Sequence, residues 1–423
     1  MPSTNECNGN SGGAGIGALD KIPRLPRSAF LLYLLVLFVG FSSFARIQAF
    51  PMTELRHFKS NERVSAFLRS KMDASTAETT TVSLQDYLEG RIHRGEMEKD
   101  LAKVLLGVAK SCAEVSRRLK THTLDHNSAV ATTSINIQGE QQKSMDVVAN
   151  DIFVQTLHSI DSVAAMASEE EEEVIYTKTK AKAKTNNNNN RRLYEIAFDP
   201  LDGSGNLDVN LPTGSIFGIG ESTTQAFSKP GSDLVASGYA LYSSSTELVV
   251  TLGKDQPVLG FTLLVDGIHD DENDSCEFIL SRNAIQCPPH GPYYSLNEAR
   301  EPDWPDGLKQ WIHDSKRGKT KTGQIYSSRY VCSLCADFHR TLLQGGWAGN
   351  PRPHLRLLYE AAPLAFLMES AGGRGSDGRQ SLLEIVPEGL HDRVCVFLGS
   401  SEDIEDLESY GNVQQVQAKR YEA

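Results

Sequence analysis

Asp199-Pro200-Leu201-Asp202-Gly203-Ser204 is the most informative stretch of this chain. It follows an apolar strand pattern over residues 194–198, at the point where a loop must begin. Pro200 fixes its own φ and biases Asp199 toward an extended conformation, and Gly203 permits a tight turn. Two carboxylates on such a turn can converge on hard cations, and the amides that follow can face an anion. The stretch therefore predicts a metal site at the end of a strand.

Four other acidic residues are candidates for the same site. Glu169-Glu170 precedes a polar stretch, Asp146 lies near the start of a helix pattern, and Glu360 stands between apolar residues of another. A carboxylate buried without a partner is costly. We therefore expect a cation or a basic side chain beside Glu360.

The rest of the chain mixes helix and strand signals. Helix patterns cover residues 81–119, 146–158, 340–343, 355–371 and 401–410, and strand patterns cover 194–198, 215–219, 237–242, 248–252 and 261–265. Because helices and strands are mixed rather than strictly alternating, we expect a layered α/β or α+β fold rather than a simple βαβ repeat. The catalytic region would span residues 81–410, with its two halves meeting near residue 275 and a tail at 411–423.

Composition limits the possible functions. The 423 residues are 39% hydrophobic and carry a formal net charge of −12. This charge argues against a nucleic-acid binder, which needs a basic face. It does not argue against an anionic substrate, because bound cations can supply local positive charge. The seven cysteines form neither a disulfide framework nor a zinc pattern.

The N-terminus is typical of a targeting leader. Basic residues precede an apolar run at 29–41, which is shorter than the ~20 residues that span a bilayer. Residues 1–49 thus resemble a signal peptide, and the basic, hydroxyl-rich residues 50–80 resemble a transit peptide and linker. Together they indicate plastid import, with no membrane span left after leader removal. Secretion, or a single anchor extended through 42–45, is the alternative.

Residues 171–192 predict a low-complexity insertion. Five acids at 169–173 are followed by a basic stretch with five consecutive Asn residues. Such composition is typical of a solvated loop.

Six stretches in the same order resemble the fructose-1,6-bisphosphatase family, within the lithium-sensitive, magnesium-dependent phosphatases. They lie at 198–204, 214–219, 238–242, 294–298, 336–341 and 355–360. The resemblance implies a sugar-phosphatase fold with stacked α/β/α/β/α layers. It also implies a homotetrameric phosphoric monoester hydrolase that removes the 1-phosphate of fructose 1,6-bisphosphate in the Calvin cycle or gluconeogenesis.

The resemblance assigns a role to each candidate. About two or three Mg²⁺ ions, or Mn²⁺, would be bound by carboxylates and one carbonyl. The ligands would be Glu169, Asp199, Leu201, Asp202 and Glu360. Asp146 and Glu170 would handle the attacking water, and Gly203 and Ser204 the transferred phosphate. The sugar and its remote phosphate would contact Asn297, Arg329, Tyr330 and His354, with Arg329 acting across a subunit interface. Glu140 and Arg356 would form a supporting salt bridge.

Departures from the family pattern concentrate at the remote phosphate. Arg300, Asn350 and His354 stand where the family commonly has Tyr, Tyr and Lys, and Gly205 replaces a Ser. Residues 376–381 are also similar to the sister sedoheptulose-1,7-bisphosphatases, so that activity is the alternative. A catalytically inactive relative or a secreted sugar-phosphate-binding protein are further alternatives. The nearby Cys332 and Cys335 fit either a redox pair or core packing.

Overall fold

The computed structural model describes residues 81–121, 144–178, 192–265 and 276–415. The leader segments 1–49 and 50–80, Glu140, residues 179–191 of the insertion and residues 416–423 of the tail lie outside these ranges. Within them, no helix combines the length and apolarity needed to cross a bilayer.

A large sheet forms the first half of the described structure. Its strands are β1 (Val163–Ser168), β2 (Ile175–Tyr176), β3 (Tyr194–Asp202), β4 (Thr213–Glu221), β5 (Leu234–Tyr242), β6 (Thr246–Thr251), β7 (Val258–Val265) and β8 (Cys276–Ile285). The order across the sheet is β2-β1-β3-β4-β5-β6-β7-β8. Neighbours are antiparallel except β1 and β3, which run parallel, so that both of these strands end at the same edge.

A smaller sheet follows in the second half. It contains β9 (Tyr293–Ser295), β10 (Ser327–Ser328), β11 (Trp347–Arg356), β12 (Arg374–Ser376) and β13 (Arg393–Gly399). Their order is β10-β9-β11-β13-β12.

The helices fill three layers around these sheets. In chain order they are α1 (Leu84–His93), α2 (Lys99–Leu119), α3 (Ser144–His158), α4 (Asp306–Ser315), α5 (Leu334–Gln344), α6 (Ala362–Ser370) and α7 (Ser401–Ser409). Helices α1–α3 share an apolar core with the large sheet. Helices α5 and α6 pack between the two sheets, and α4 and α7 cover the outer face of the small sheet.

Strand β13 shows how the sequence specifies this stacking. Successive side chains of a strand point to opposite faces. Val396 and Leu398 join the core shared with α5 and α6, whereas Cys395 and Phe397 join the core beneath α4 and α7. A strand that is apolar on both faces must be covered on both sides. The expected α/β/α/β/α layering is confirmed.

Several predicted boundaries are wrong. Residues 81–119 are two helices, because the chain turns between them at Gly95, whose φ is +71°. Residues 355–371 begin as the end of β11, continue as a π-helical turn (Leu357–Ala361) and only then become α6. Pro363 follows this turn directly, and because it has no N–H it cannot donate to a carbonyl of the turn.

Two segments outside the predicted helices and strands make ordered backbone contacts. Within the 171–192 insertion, Ile175–Tyr176 pairs with β1 as an edge strand. At the start of the 411–423 tail, Val413 is buried and the Gln415 N–H donates to the Pro351 carbonyl at 2.7 Å.

Candidate active site

The site is built at the end of β3. This strand is buried along its whole length, and its pairing with β4 shifts register between Asp199 and Asp202. Asp199 Oδ1 accepts from the Leu201 N–H at 2.9 Å, which fixes the turn internally. Gly203 has φ of +74°, and a Cβ there would lie 2.8 Å from Ser333 Cβ. The turn therefore requires glycine both for its conformation and for the close approach of the second half of the chain.

The N-terminus of α5 holds the Asp202 carboxylate. Asp202 accepts from Ser333 Oγ at 2.8 Å, from the Leu334 N–H at 3.1 Å and from the Cys335 N–H at 2.8 Å. The first N–H groups of a helix have no partner within it, and the helix dipole favours an anion there. The carboxylate is thus oriented by an element 131 residues away in sequence.

Two glutamates approach from other elements. Glu169 follows β1, and its carboxylate pairs with Arg356 at 3.0 Å. Glu360 lies in the π-helical turn after β11 and accepts from the Arg356 N–H at 2.6 Å. Such turns are frequently found at functional sites. The Arg356 guanidinium also lies 3.9 Å from Glu360, so one cation serves two carboxylates.

The carboxylates of this site carry more negative charge than the neighbouring Arg356 can balance. Burial raises the pKa of Asp199 well above its ordinary value, and the neighbouring Glu169 and Asp202 carboxylates raise it further. Burial and then the Glu169 charge likewise raise the pKa of Glu360 well above its ordinary value, despite Arg356. Burial also raises the pKa of Asp202, although the donors of α5 oppose this shift. Strong mutual perturbation of buried acids in a cleft is typical of a functional site.

This donor set fits a hard divalent cation. Carboxylate and carbonyl oxygens are the ligands that Mg²⁺ prefers, and bound cations would relieve the charge that raises these pKa values. In the described ranges, no three His, Cys, Asp or Glu side chains form a ready-made ion site. Asp202 bonds to the N-terminus of α5, and Glu169 pairs with Arg356.

A cavity of about 470 Å³ opens over these acids. Most of the predicted site residues line it: Asp146, Glu169, Glu170, Asp199, Leu201, Asp202, Gly203, Ser204, Tyr330, His354, Arg356 and Glu360. Residues from both halves of the chain thus meet at one cavity.

Two predicted substrate contacts lie elsewhere. Asn297 caps the short helix Glu298–Asp303, where its side chain accepts from the Ala299 N–H at 3.2 Å. Arg329 is exposed and lies over the Tyr293 ring, 5.3 Å from its centroid. Neither residue lines the cavity. The predicted partner of Arg356, Glu140, lies outside the described residues.

Sequence reasoning did not predict several polar residues of the cavity wall. Asp337 accepts from the Val331 N–H at 3.1 Å and the Cys332 N–H at 3.2 Å, and so holds the segment next to Tyr330. Asn206 donates to the Val331 carbonyl at 3.2 Å. Ser333 alone had a local signal, since a serine before an apolar helix pattern is a typical N-cap.

Comparisons with known proteins cover both halves of the chain. The model of the fructose-1-6-bisphosphatase N-terminal domain matches residues 83–271, and that of the C-terminal domain matches residues 287–412. The chloroplastic fructose-1,6-bisphosphatase of Brassica napus is 38% identical over 354 residues, which cover 78% of this chain and 81% of that protein. The class 1 fructose-1,6-bisphosphatase of Hydrogenophilus thermoluteolus is 35% identical, with coverage of 80% and 93%.

Solved structures give the same result. The fructose-1,6-bisphosphatase of Leishmania major in its holo form superposes with a TM-score of 0.67 at 32% identity, over 78% of this chain and 99% of that chain. The same enzyme in its T-state gives 0.64 at 30% identity, over 78% and 98%. Both halves of the site lie within the matched residues, and the chain belongs to the fructose-1,6-bisphosphatase family.

Proposed function

We propose that this chain hydrolyses the 1-phosphate of fructose 1,6-bisphosphate, giving fructose 6-phosphate and phosphate. The observation that carries the proposal is the convergence of Glu169, Asp199, Asp202 and Glu360 beside one cavity. Phosphate monoesters hydrolyse extremely slowly without catalysis, so a large electrostatic stabilisation is required. A buried cluster of acids that can load divalent cations can provide it.

Magnesium is the cation we assign, with manganese as a substitute. Glu169, Asp199, Asp202, Glu360 and the Leu201 carbonyl would hold it, and it would neutralise charge on the transferred phosphoryl group. The Gly203 and Ser204 amides would bind the oxygens of this group. Asp146 and Glu170 would hold the attacking water and accept its proton.

The sugar and its remote phosphate would occupy the part of the cavity lined by Tyr330 and His354. Arg329 is exposed and does not line this cavity. That position supports the proposal that Arg329 serves a neighbouring subunit, in a homotetramer. The cap on residues 298–303 uses the Asn297 Oδ1, so its Nδ2 would be the donor to the phosphate. Because Asn297 does not line the cavity, it is the weakest of the proposed contacts.

The altered remote contacts keep sedoheptulose 1,7-bisphosphate as a second candidate substrate. His354 lines the cavity at the position where the family commonly has Lys. A neutral imidazole would bind a phosphate less strongly than an ammonium group does. Discrimination between a six-carbon and a seven-carbon sugar would then rest on the shape of this end of the cavity.

The plastid stroma is the proposed location, with a Calvin-cycle role. Relatives from Brassica napus and Pisum sativum are named chloroplastic. The bipartite character of residues 1–80 supports import across additional membranes. A fluorescent fusion of the first eighty residues tests this location, and accumulation in the secretory pathway would contradict it.

The decisive experiment measures phosphate release from both bisphosphates, with and without magnesium. We expect magnesium-dependent release, faster with the fructose ester, and its loss in Asp199→Ala with an unchanged circular dichroism spectrum. A strong preference for the seven-carbon ester would shift the assignment to the sister activity. Undiminished turnover in Asp199→Ala would overturn the proposed site.

A further inference from the structure

Asn150 is a buried amide on α3, one helical turn after Asp146. It is only 6% exposed. Residues four apart on a helix lie on the same face, so Asn150 stands beside the acid proposed to handle the attacking water. Helix α3 is itself fixed against β3, because the Phe153 and Phe198 rings stack with their centroids 5.0 Å apart. The helix is therefore a rigid base for the site.

The side chain of Asn150 bonds to both sides of Glu169-Glu170. Its Oδ1 accepts from Ser168 Oγ at 2.7 Å, and its Nδ2 donates to Glu171 Oε1 at 2.7 Å. Ser168 Oγ in turn accepts from the Glu170 N–H at 3.3 Å. Because a carboxylate can only accept, the contact with Glu171 fixes the orientation of the amide.

We propose that Asn150 is a positioning residue that fixes the Glu169-Glu170 segment relative to Asp146. The proposal rests on the proposed function, in which this segment supplies a metal ligand and a group that handles water. Glu169 and Glu170 lie after the end of β1, where the Glu169 N–H donates to the Phe198 carbonyl at 3.2 Å and extends the pairing with β3 by one bond. Asn150 adds one hydrogen bond before the two glutamates and one after them.

The chemistry requires an amide at position 150. One atom must donate to a carboxylate and another must accept from a hydroxyl, and a primary amide does both. Aspartate would keep the bond from Ser168 but would place two carboxylates 2.7 Å apart. Glu171 is needed as the acceptor for the Asn150 amide. The sequence alone indicates only that it belongs to a run of solvated acids.

The donor at position 150 and the acceptor at position 171 can be exchanged by mutation, and this exchange provides the test. In Asn150→Asp the charge repulsion should displace Glu171 and the glutamates before it. In Asn150→Asp combined with Glu171→Gln, the new amide donates to the new carboxylate, and the pair keeps its single negative charge. A displacement of about 1 Å at a catalytic group can cost ~10²-fold in rate.

We expect kcat for fructose 1,6-bisphosphate to fall ~10- to 100-fold in Asn150→Asp, with KM changed less than about twofold. The double variant should recover kcat to within about threefold of the wild type. Thr246→Val is the control, since it removes an equally buried side-chain bond, to Ser116 at 2.6 Å, away from the cavity. Its kcat should not change.

Two outcomes would overturn the inference. One is an unchanged kcat in folded Asn150→Asp; the other is a double variant that recovers its melting temperature but not its kcat. If Asn150→Asp does not fold, Glu171→Ala at its half-buried position replaces it, with an expected ~10-fold loss of kcat. Failure of the proposed function is distinguishable, because it would appear in the wild type as absent magnesium-dependent phosphate release.

Discussion

Ser333 Oγ donates to Asp202 Oδ2 at 2.8 Å and also accepts from the Ala336 N–H at 3.3 Å. One hydroxyl therefore caps α5 and orients a proposed metal ligand. The two roles use different parts of the hydroxyl, its proton and a lone pair. The start of a helix in the second half of the chain is in this way tied to the metal-binding turn of the first half.

Replacing Ser333 by Ala should affect both stability and metal affinity. Loss of an N-cap costs about 1 kcal/mol of unfolding free energy. Loss of a group that orients a ligand typically lowers metal affinity ~10- to 100-fold. We expect the magnesium concentration for half-maximal turnover to rise accordingly, measured by phosphate release across a magnesium titration.

Ser83→Ala is the matched control for this prediction. Ser83 caps α1, accepting from the Asp86 N–H at 3.1 Å, and it lies outside the cavity lining. We expect a comparable loss of stability with an unchanged magnesium requirement. An unchanged requirement in Ser333→Ala as well would show that Asp202 is oriented without the hydroxyl.

The sequence predicts those parts of the site that depend on neighbouring residues. The turn at 199–204 is recognisable because Pro200 and Gly203 have local conformational effects. The capture of Asp202 by α5 is not, since it depends on a contact across 131 residues. The sequence does not indicate a role for Asn150, because an amide inside a helix pattern is ordinarily just a weak helix former. It suggests that Glu171 is solvated, because runs of charged residues usually are, whereas the structure places Glu171 against Asn150.

The fold was predictable to a similar degree. Strands β3 to β7 have clear β-branched and aromatic patterns. In the small sheet, β9, β10 and β12 were missed because they have only two or three residues each. Strand β11 was missed because prolines 351 and 353 interrupt it. Proline is unusual within a strand, so that pattern argues against the correct assignment. The π-helical turn could not be distinguished from α6 in the sequence, because its apolar residues fit the pattern of an α-helix.

Asp199→Asn should stabilise the metal-free protein while abolishing its turnover. Folding raises the pKa of Asp199 well above its ordinary value. The ionised carboxylate therefore costs stability, and this cost grows as pH rises from about 4 through the raised pKa. Asparagine removes the charge. We expect the metal-free variant to melt a few degrees higher than the wild type at pH 8, with a weaker dependence on pH.

Asp151→Asn controls for net charge in that comparison. Asp151 is exposed on α3 and its replacement changes the formal charge by the same amount. Its melting temperature and turnover should stay near those of the wild type. An equal gain in stability from both variants would assign the effect to overall charge rather than to the buried cluster.

Magnesium should stabilise the wild type and have little effect on Asp199→Asn. A ligand at 100 times its dissociation constant adds about 2.7 kcal/mol to the free energy of unfolding. We expect this gain as a rise in melting temperature when magnesium is titrated at pH 8, and its reversal by a chelator. A rise of the same size in Asp199→Asn would place the stabilising ions away from the β3 turn.

Cys332 should be the first to react with iodoacetamide among Cys112, Cys287, Cys332, Cys335 and Cys395. It is the exposed one of these five, and it lines the cavity beside Tyr330, whose hydroxyl donates to its sulfur at 3.2 Å. Burial raises the pKa of Cys112 to about 12 and that of Cys335 well above its ordinary value, so these two thiols remain protonated and unreactive. Peptide mapping should find Cys332 labelled first, and fructose 1,6-bisphosphate should slow its labelling.

A dithiol reductant should leave turnover unchanged, because Cys335 is too poor a nucleophile to form a disulfide with Cys332. Activation by the reductant that is lost in Cys332→Ser would instead establish a redox pair.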